Sequence, residues 1–284
     1  NLAAKEIFRK GIRYFSDSAY RFDVNAILGF YDNKPDDEFI SEQFFLHLGQ
    51  KLNLEKPVTF CEKIQWLKIH DRDPKYNLMV DKYEAKIYVA KIIGEEYIIP
   101  SCGVWANFDE IDFQRLPNQF VIKCTHDSGG LAICKDKNKF NIDDTRKKIN
   151  KSLKGNFFYC GREWPYKNVK PRILVEKYMH DDNDEDLKDY KLFCFNGNVQ
   201  SILVCSNRNG NYKNTDFYDV NWNLLEYTRA SHENNSKGIE RPEKLNEMIE
   251  IAEKLSKNIP FVRIDLYEIN GKVFFGEINF LFLK

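Results

Sequence analysis

Two short stretches near the C-terminus hold the residues most able to do chemistry. Arg263-Ile264-Asp265 and Glu277-Ile278-Asn279 flank Ile269-Asn270-Gly271 in the run FVRIDLYEINGKVFFGEIN. Apolar and polar residues alternate through Phe261–Tyr267 and Lys272–Asn279, and Asn-Gly is a tight-turn signal, so the run predicts a β-hairpin. Side chains two apart on a strand share a face, which places Arg263 with Asp265 and Glu277 with Asn279. Paired acids on a hairpin are also what an ordinary solvated face looks like. As a site, two carboxylates and an amide oxygen suit Mg²⁺, which completes its shell with waters and nucleotide phosphates, and a guanidinium beside them can hold a phosphate. That is the chemistry of a nucleotide-driven enzyme.

Upstream lysines suit the anionic end of such a nucleotide. Phe120-Val121-Ile122-Lys123 ends an apolar run in an ammonium group and continues into Thr125-His126-Asp127-Ser128-Gly129-Gly130. A fixed ammonium can hold one phosphate, and backbone N–H groups can approach others closely where glycine has no Cβ. A strand-end lysine alone is an ordinary exposed charge; joined to Ser-Gly-Gly and a second strand bearing Lys135, it reads better as a phosphate site. Lys82 follows Asp81, a predicted N-cap, and a lysine in a first helical turn opposes the helix dipole unless an anion faces it. Ile173-Leu174-Val175-Glu176-Lys177-Tyr178-Met179 is either an ordinary strand leaving the core or a hinge whose backbone and carboxylate meet an adenine or ribose edge. Tyr159, Arg162, Trp164, Tyr166 and Lys167 form an aromatic and basic cluster that suits a sugar acid and equally suits packing.

The elements that must position these groups are legible in outline. Helical periodicity runs through Leu2–Phe15 and 37–52, and Thr59–Asp71 is a predicted helix with a Thr59/Glu62 capping box, closed by Asp73-Pro74. Asp81–Ile93 is a further helix ending at Gly94, and 96–100 leads into a short strand. Strands are predicted at Phe120–Cys124, 131–135, 172–179, 191–195 and 199–205, the last two joined over Asn196-Gly197-Asn198. A helix opens at Arg241-Pro242 and runs to Lys257 ahead of the closing hairpin, and polar loops are expected at 181–186 and 231–238. Strands in short hairpins with intervening helices predict an α+β chain of more than one lobe.

Composition bounds the rest. The 284 residues carry 43 basic and 43 acidic side chains, so no overall field favours nucleic acid or a membrane surface, and any anion site must be local. Seven cysteines form no CxxC pair and sit mostly in apolar runs, as buried cytosolic thiols do. No apolar run reaches membrane-span length. A cytoplasmic protein is expected, with a sequence trimmed at both ends.

These segments, in this order, resemble the ATP-grasp fold: Asp-Lys before a helix ending in Ile-Pro, a lysine strand before a glycine loop, a strand ending in Glu, and a closing Arg-x-Asp … Glu-x-Asn hairpin. From Thr59 to Asn279, through VDKYEAKIYV, IGEEYIIPSCGVW, QFVIKCTHDSGG, YCGREWPYKNVKPRILVEKYM and DLKDYKLFCFNG, the chain looks like the TupA-like subgroup. That subgroup is tied to bacterial surface-polysaccharide clusters and named for teichuronopeptide synthesis. The resemblance implies ATP and Mg²⁺ as cofactors. Lys82 and Lys123 would hold phosphates, Ser128, Gly129 and Gly130 would form the phosphate loop, and Glu176, Lys177, Tyr178 and Met179 would line the adenine hinge. Asp265, Glu277 and Asn279 would bind the metal, Arg263 would stabilise the transferring phosphate, and Lys191 would add a phosphate or acyl-phosphate contact. Lys86 stands where the subgroup commonly has arginine.

The resemblance also implies a division of the chain: an N-terminal helical segment (1–56), the N-terminal part of the ATP-grasp domain (57–118), a small lid subdomain (119–175) and a C-terminal lobe with the metal hairpin (176–284). The family pattern continues past Asn279 through a small-residue loop into a helix, so this lobe is expected to be truncated. The implied activity is an ATP-dependent carboxylate–amine ligase acting through an acyl phosphate, joining an amine to a uronic acid or nucleotide sugar, in association with polysaccharide-assembly enzymes. The rival expectations are a glycan kinase or transferase and a nucleotide-binding module without catalysis.

Overall fold

The computed structural model describes residues 2–182, 187–206, 214–227 and 238–280, with side chains from residue 9 onward. Residues 183–186 and 231–237 of the two polar loops, and Leu281–Lys284, lie outside the described residues. Three helices lead: α1 (Leu2–Ser16), α2 (Ser18–Ile27) and α3 (Asp36–Leu48). The second was not foreseen; Asp17 starts it by accepting from the Tyr20 N–H at 2.9 Å. Phe22, Ala26, Phe39, Ile40 and Phe44 give these helices a core of their own.

The capping box of α4 (Phe60–His70) forms as the sequence predicts, with Glu62 N–H donating to Thr59 Oγ1 at 3.2 Å and Thr59 N–H donating to the Glu62 carboxylate at 2.9 Å. A short helix α5 (Lys75–Val80), unforeseen after Asp73-Pro74, precedes α6 (Glu84–Ile93). The Asp81 carboxylate accepts from the N–H groups of Tyr83 (2.8 Å) and Glu84 (3.2 Å), so α6 starts later than predicted and Lys82 sits in the turn before it.

The small sheet joins β1 (Ser101–Trp105), β2 (Phe120–Cys124), β3 (Leu131–Cys134) and β4 (Ile173–Lys177) in the antiparallel order β1-β4-β2-β3. Its Phe120, Ile122, Cys124, Ile173 and Val175 side chains pack with Ile149 of α7 (Ile142–Leu153). The other face carries Val121, Lys123 and Glu176, with Leu131 and Ile133 exposed on the edge strand. After the one-turn helix α8 (Phe158–Gly161), the large sheet joins β5 (Asp189–Phe195), β6 (Asn198–Ser206), β7 (Asn214–Tyr218), β8 (Phe261–Ile269) and β9 (Lys272–Asn279) in the antiparallel order β7-β6-β5-β8-β9. Helix α9 (Leu245–Ser256) covers one face, burying Leu245, Met248, Ala252 and Leu255 with Leu192, Val262 and Ile264. Both predicted Asn-Gly turns form, with left-handed backbone at Asn196 (φ 49°), Gly197 (φ 82°), Asn270 (φ 50°) and Gly271 (φ 69°). Among the described residues no helix is long and apolar enough to cross a membrane.

Candidate nucleotide and metal site

The face of the large sheet turned away from α9 gathers the hairpin residues. Lys191 on β5 lies opposite Asp265 on β8; Asp265 lies opposite Glu277 on β9, and Arg263 opposite Asn279. The register shifts between Asp265 and Leu266, leaving Gly276 as an extra residue between Phe275 and Glu277. A Cβ on Gly276 would stand 2.9 Å from the Asp265 carbonyl oxygen and 2.9 Å from the Tyr267 ring, so glycine lets the strands close here.

Asp265 is 1% exposed and shared. Arg263 donates from Nε to Oδ1 (2.6 Å) and from Nη2 to Oδ2 (2.8 Å), while Lys191 Nζ donates to Oδ2 (2.6 Å) and to Asp189 (2.6 Å). Burial pushes the Asp265 carboxyl up against the pull of Arg263 and Lys191. Burial would lower Lys191 and Arg263, but the surrounding carboxylates, Asp265 first, raise both above their ordinary values. Glu277 is more open, its side chain 40% exposed, with Oε1 3.7 Å from Arg263 Nη2. Burial would raise its carboxyl; Lys82, Lys191 and Arg263 together bring it down to about 2.

Lys82 acts on this group from the turn before α6. Its backbone N–H donates to Thr125 O (3.0 Å) and its ammonium to Asp127 O, which fixes it against the loop after β2. Burial lowers its pKa, Glu277 opposes that, and Lys123 adds to the lowering, so Lys82 feels both the hairpin acid and the β2 lysine. In the loop itself Ser128 and Gly129 are exposed, and the Asp127 carboxylate accepts from Gly130 N–H (3.2 Å) and from the Ser152 hydroxyl of α7. A Cβ on Gly130 would run into Ser152 Oγ and Cys124 Sγ, whereas nothing crowds Gly129.

At the proposed hinge, Glu176 is 4% exposed and its carboxylate is taken by Lys86 and Lys123, one on each oxygen. Burial would raise the carboxyl and the two lysines lower it, so Glu176 is an ionised counter-ion rather than an open purine contact. Lys177 N–H donates to Pro100 O at 3.0 Å, and Lys177, Tyr178 and Met179 line a cavity of about 290 Å³ with Ile269, Asn270 and Phe274. A larger cavity of about 410 Å³ touches Tyr190 and Glu268 on the opposite side of the large sheet, away from the carboxylates.

The residues singled out in the sequence therefore fall into a carboxylate and cation group (Lys82, Lys191, Arg263, Asp265, Glu277, Asn279), a lysine pair on Glu176, and a hinge segment. Three participants escaped the sequence reading: Lys86 as a Glu176 partner, Asp189 as a Lys191 partner, and Arg172, which bridges Asp81 (2.8 Å) and Glu84 (2.9 Å). Asp189 was findable, two residues before Lys191 on one strand. The aromatic and basic cluster resolves partly into packing. Arg162 is 1% exposed, donates to Tyr31 O (2.6 Å) and Lys34 O (3.2 Å), pairs with Asp36 (3.0 Å) and lies 4.2 Å from the Phe39 ring centroid, bolting the leading helices in place. Tyr166 joins the large core, its ring centroid 4.9 Å from that of Phe157.

Among the described residues no three His, Cys, Asp or Glu side chains converge as a self-sufficient metal cage. Glu277 and Asn279 lie on one face, with Asp265 beside Glu277 on the neighbouring strand and engaged by its two cations. Such a partial oxygen set fits a hard cation that draws its other ligands from waters and phosphates.

A family model described as TupA-like ATPgrasp matches residues 62–282. The chain belongs to the TupA-like ATP-grasp family. Its fold is the ATP-grasp fold, α+β, with two antiparallel sheets. Solved structures similar to it include the D-alanine–D-alanine ligase of Bacillus anthracis (19% identity, 72% of this chain and 57% of that one, TM-score 0.41). The D-alanine–D-alanine ligase of Helicobacter pylori gives 16% identity over 78% of this chain and 61% of that one, with a TM-score of 0.42. The phosphoribosylamine–glycine ligase of Thermotoga maritima gives 14% over 72% and 49%, with a TM-score of 0.39. This TupA-like chain spans less than two thirds of the length of each. No curated protein matches it.

Proposed function

We propose that this TupA-like ATP-grasp protein is an ATP- and Mg²⁺-dependent carboxylate–amine ligase. The observation that carries the reading is the gathering of Arg263 and Lys191 around Asp265, with Glu277 3.7 Å from Arg263 and Lys82, bonded to the loop at Asp127, helping to hold the Glu277 carboxyl at about 2. Fixed cations so gathered suit a transferring phosphoryl group, whose charge grows on its oxygens.

ATP enters as a substrate. Lys82 and Lys123 hold its phosphates under the N–H groups of the 128–130 loop, and the backbone of 177–179 meets the base. Mg²⁺, held by Glu277 and Asn279 with Asp265 beside Glu277, would supply positive charge to the phosphates. A substrate carboxylate oxygen attacks the γ-phosphorus and the bond to ADP breaks, with Arg263 and Lys191 placed to offset the charge. The amine nitrogen then attacks the acyl carbon, phosphate leaves, and the amine proton departs as the amide forms. The chain supplies alignment and charge, and no covalent nucleophile. The family's tie to bacterial surface polysaccharides supports a uronic acid or its nucleotide-sugar form as the carboxylate and an amino acid or amino sugar as the amine, acting in the cytoplasm beside polysaccharide-assembly enzymes.

The test crosses a panel of uronic acids with amines in the presence of ATP and Mg²⁺. The expected result is ADP release that needs both partners and a product lighter than their sum by one water. A phosphorylated glycan formed without amine would replace ligation by phosphoryl transfer.

A further inference from the structure

Lys86 is a buried ammonium that the ligase chemistry leaves without a task. It lies on α6, is 5% exposed, and reaches the Ile99 carbonyl and the Glu176 carboxylate. Those two groups mark where the chain enters the small sheet, just before β1, and where it leaves, at the end of β4. The Lys177 N–H to Pro100 O bond ties the two passages together. Helix α6 packs against β9 and α9, so one side chain on the large-sheet side grips both passages of the small sheet.

Glu176 has to be neutralised wherever Lys123 goes. A buried carboxylate stripped of its partner is strongly destabilising. If Lys123 were its sole counter-ion, turning that ammonium toward a phosphate would strand the charge. With Lys86 on one oxygen, Glu176 keeps a partner, and Lys123, its side chain 18% exposed, is released at lower cost.

We propose that Lys86 is a positioning residue for nucleotide binding: it is the standing counter-ion of Glu176 that frees Lys123 for phosphate and fixes the small sheet's entry and exit to α6. The inference rests on the ATP reading above. It is tested by calorimetric binding of the non-hydrolysable analogue AMP-PNP with Mg²⁺ to the full chain. Lys86→Met should weaken binding about tenfold or more, because Lys123 must then stay on Glu176. Lys86→Arg should bind close to wild type. The double variant Lys86→Met, Glu176→Gln should regain most of the lost affinity, since no buried charge then retains Lys123.

A merely structural lysine would lower the Tm of Lys86→Met and give the double variant no recovery. Equal binding by Lys86→Met and wild type, or no recovery in the double variant, overturns the proposal. Should Lys86→Met fail to fold, Glu176→Gln alone decides: binding at least as tight as wild type supports it, and binding about tenfold weaker overturns it. Wild type that binds no nucleotide sinks the ATP reading and the inference with it, whereas wild-type binding unchanged in Lys86→Met sinks the inference alone.

Discussion

Two carboxylates in this protein each stand between two cations, and they are built differently. Asp265 meets Arg263 on its own strand and Lys191 on the neighbouring one, so a single sheet fixes the trio. Glu176 on β4 meets Lys123 on β2 and Lys86 on α6, so its trio spans the small sheet and a helix packed against the other. The first cannot rearrange without unpairing strands, while the second changes whenever the small sheet shifts against α6. Charge balanced within one sheet fixes the shape of a site, and charge balanced between layers makes the site responsive.

The largest effect should come from breaking the rigid trio. Asp265→Asn leaves Arg263 and Lys191 buried with an unbalanced charge, and is expected to cost about 3–5 kcal/mol of stability together with turnover, as read by thermal denaturation and ADP release. A stable, active variant would show that the sheet-borne trio is not the rigid one. Glu277→Gln sharpens the contrast, because that side chain is 40% exposed: its Tm should fall less than that of Asp265→Asn while ADP formation drops about 10²–10³-fold. Undiminished ADP formation would remove Glu277 from the phosphoryl site.

On the responsive side, Gly130→Ala forces a Cβ into Ser152 and Cys124 and is expected to cost about 1–3 kcal/mol and weaken AMP-PNP binding, whereas Gly129→Ala should match wild type in Tm. Equal Tm values would mean the loop is not pinned to α7. The smallest effect is in acid. Glu277 is held at about 2 against an ordinary 4.5, so its contribution to stability is complete above about 4.5 and is lost as pH falls toward 2. The stability gap between wild type and Glu277→Gln should therefore be flat at neutral pH and close across that window. A gap that widens in acid would reverse the sign of the interaction.

Much of this was legible in the sequence, for reasons that can be named. The closing hairpin and both Asn-Gly turns were readable because their signals are local: alternation over a few residues and a dipeptide that tolerates left-handed backbone. The capping box of α4 was readable for the same reason. Helix α2 was hidden because the breaker that separates it from α1 is the single residue Asp17, and α5 because its six residues are too few to show a period and Pro74, which starts it, was read as closing the helix before. The start of α6 was misplaced because the Asp81 carboxylate caps a turn two residues long before the helix begins. In the site, Arg263, Asp265, Glu277 and Asn279 announced themselves by spacing. The roles of Glu176 and Lys86 did not, since an ion pair between β4 and α6 leaves no periodic trace, and Arg162 stayed open between binding and packing until its partners, more than a hundred positions away, were in view.

The bulge at Gly276 has a consequence for how the hairpin can vary. Phe275 and Glu277 are two apart yet point to opposite faces, Phe275 into the core with Leu266 and Glu277 toward Asp265, because one residue is inserted between the paired positions. Pairing Gly276 regularly into the ladder would shift the strand's phase by one residue, sending Glu277 and Asn279 beneath the sheet and Ile278 out beside Arg263, whereas deleting Gly276 would remove the bulge and leave Glu277 opposite Asp265. The facing of the site's two oxygen donors thus depends on one residue being set aside from the ladder, and a side chain at that position would meet the Asp265 carbonyl and the Tyr267 ring and press against that arrangement.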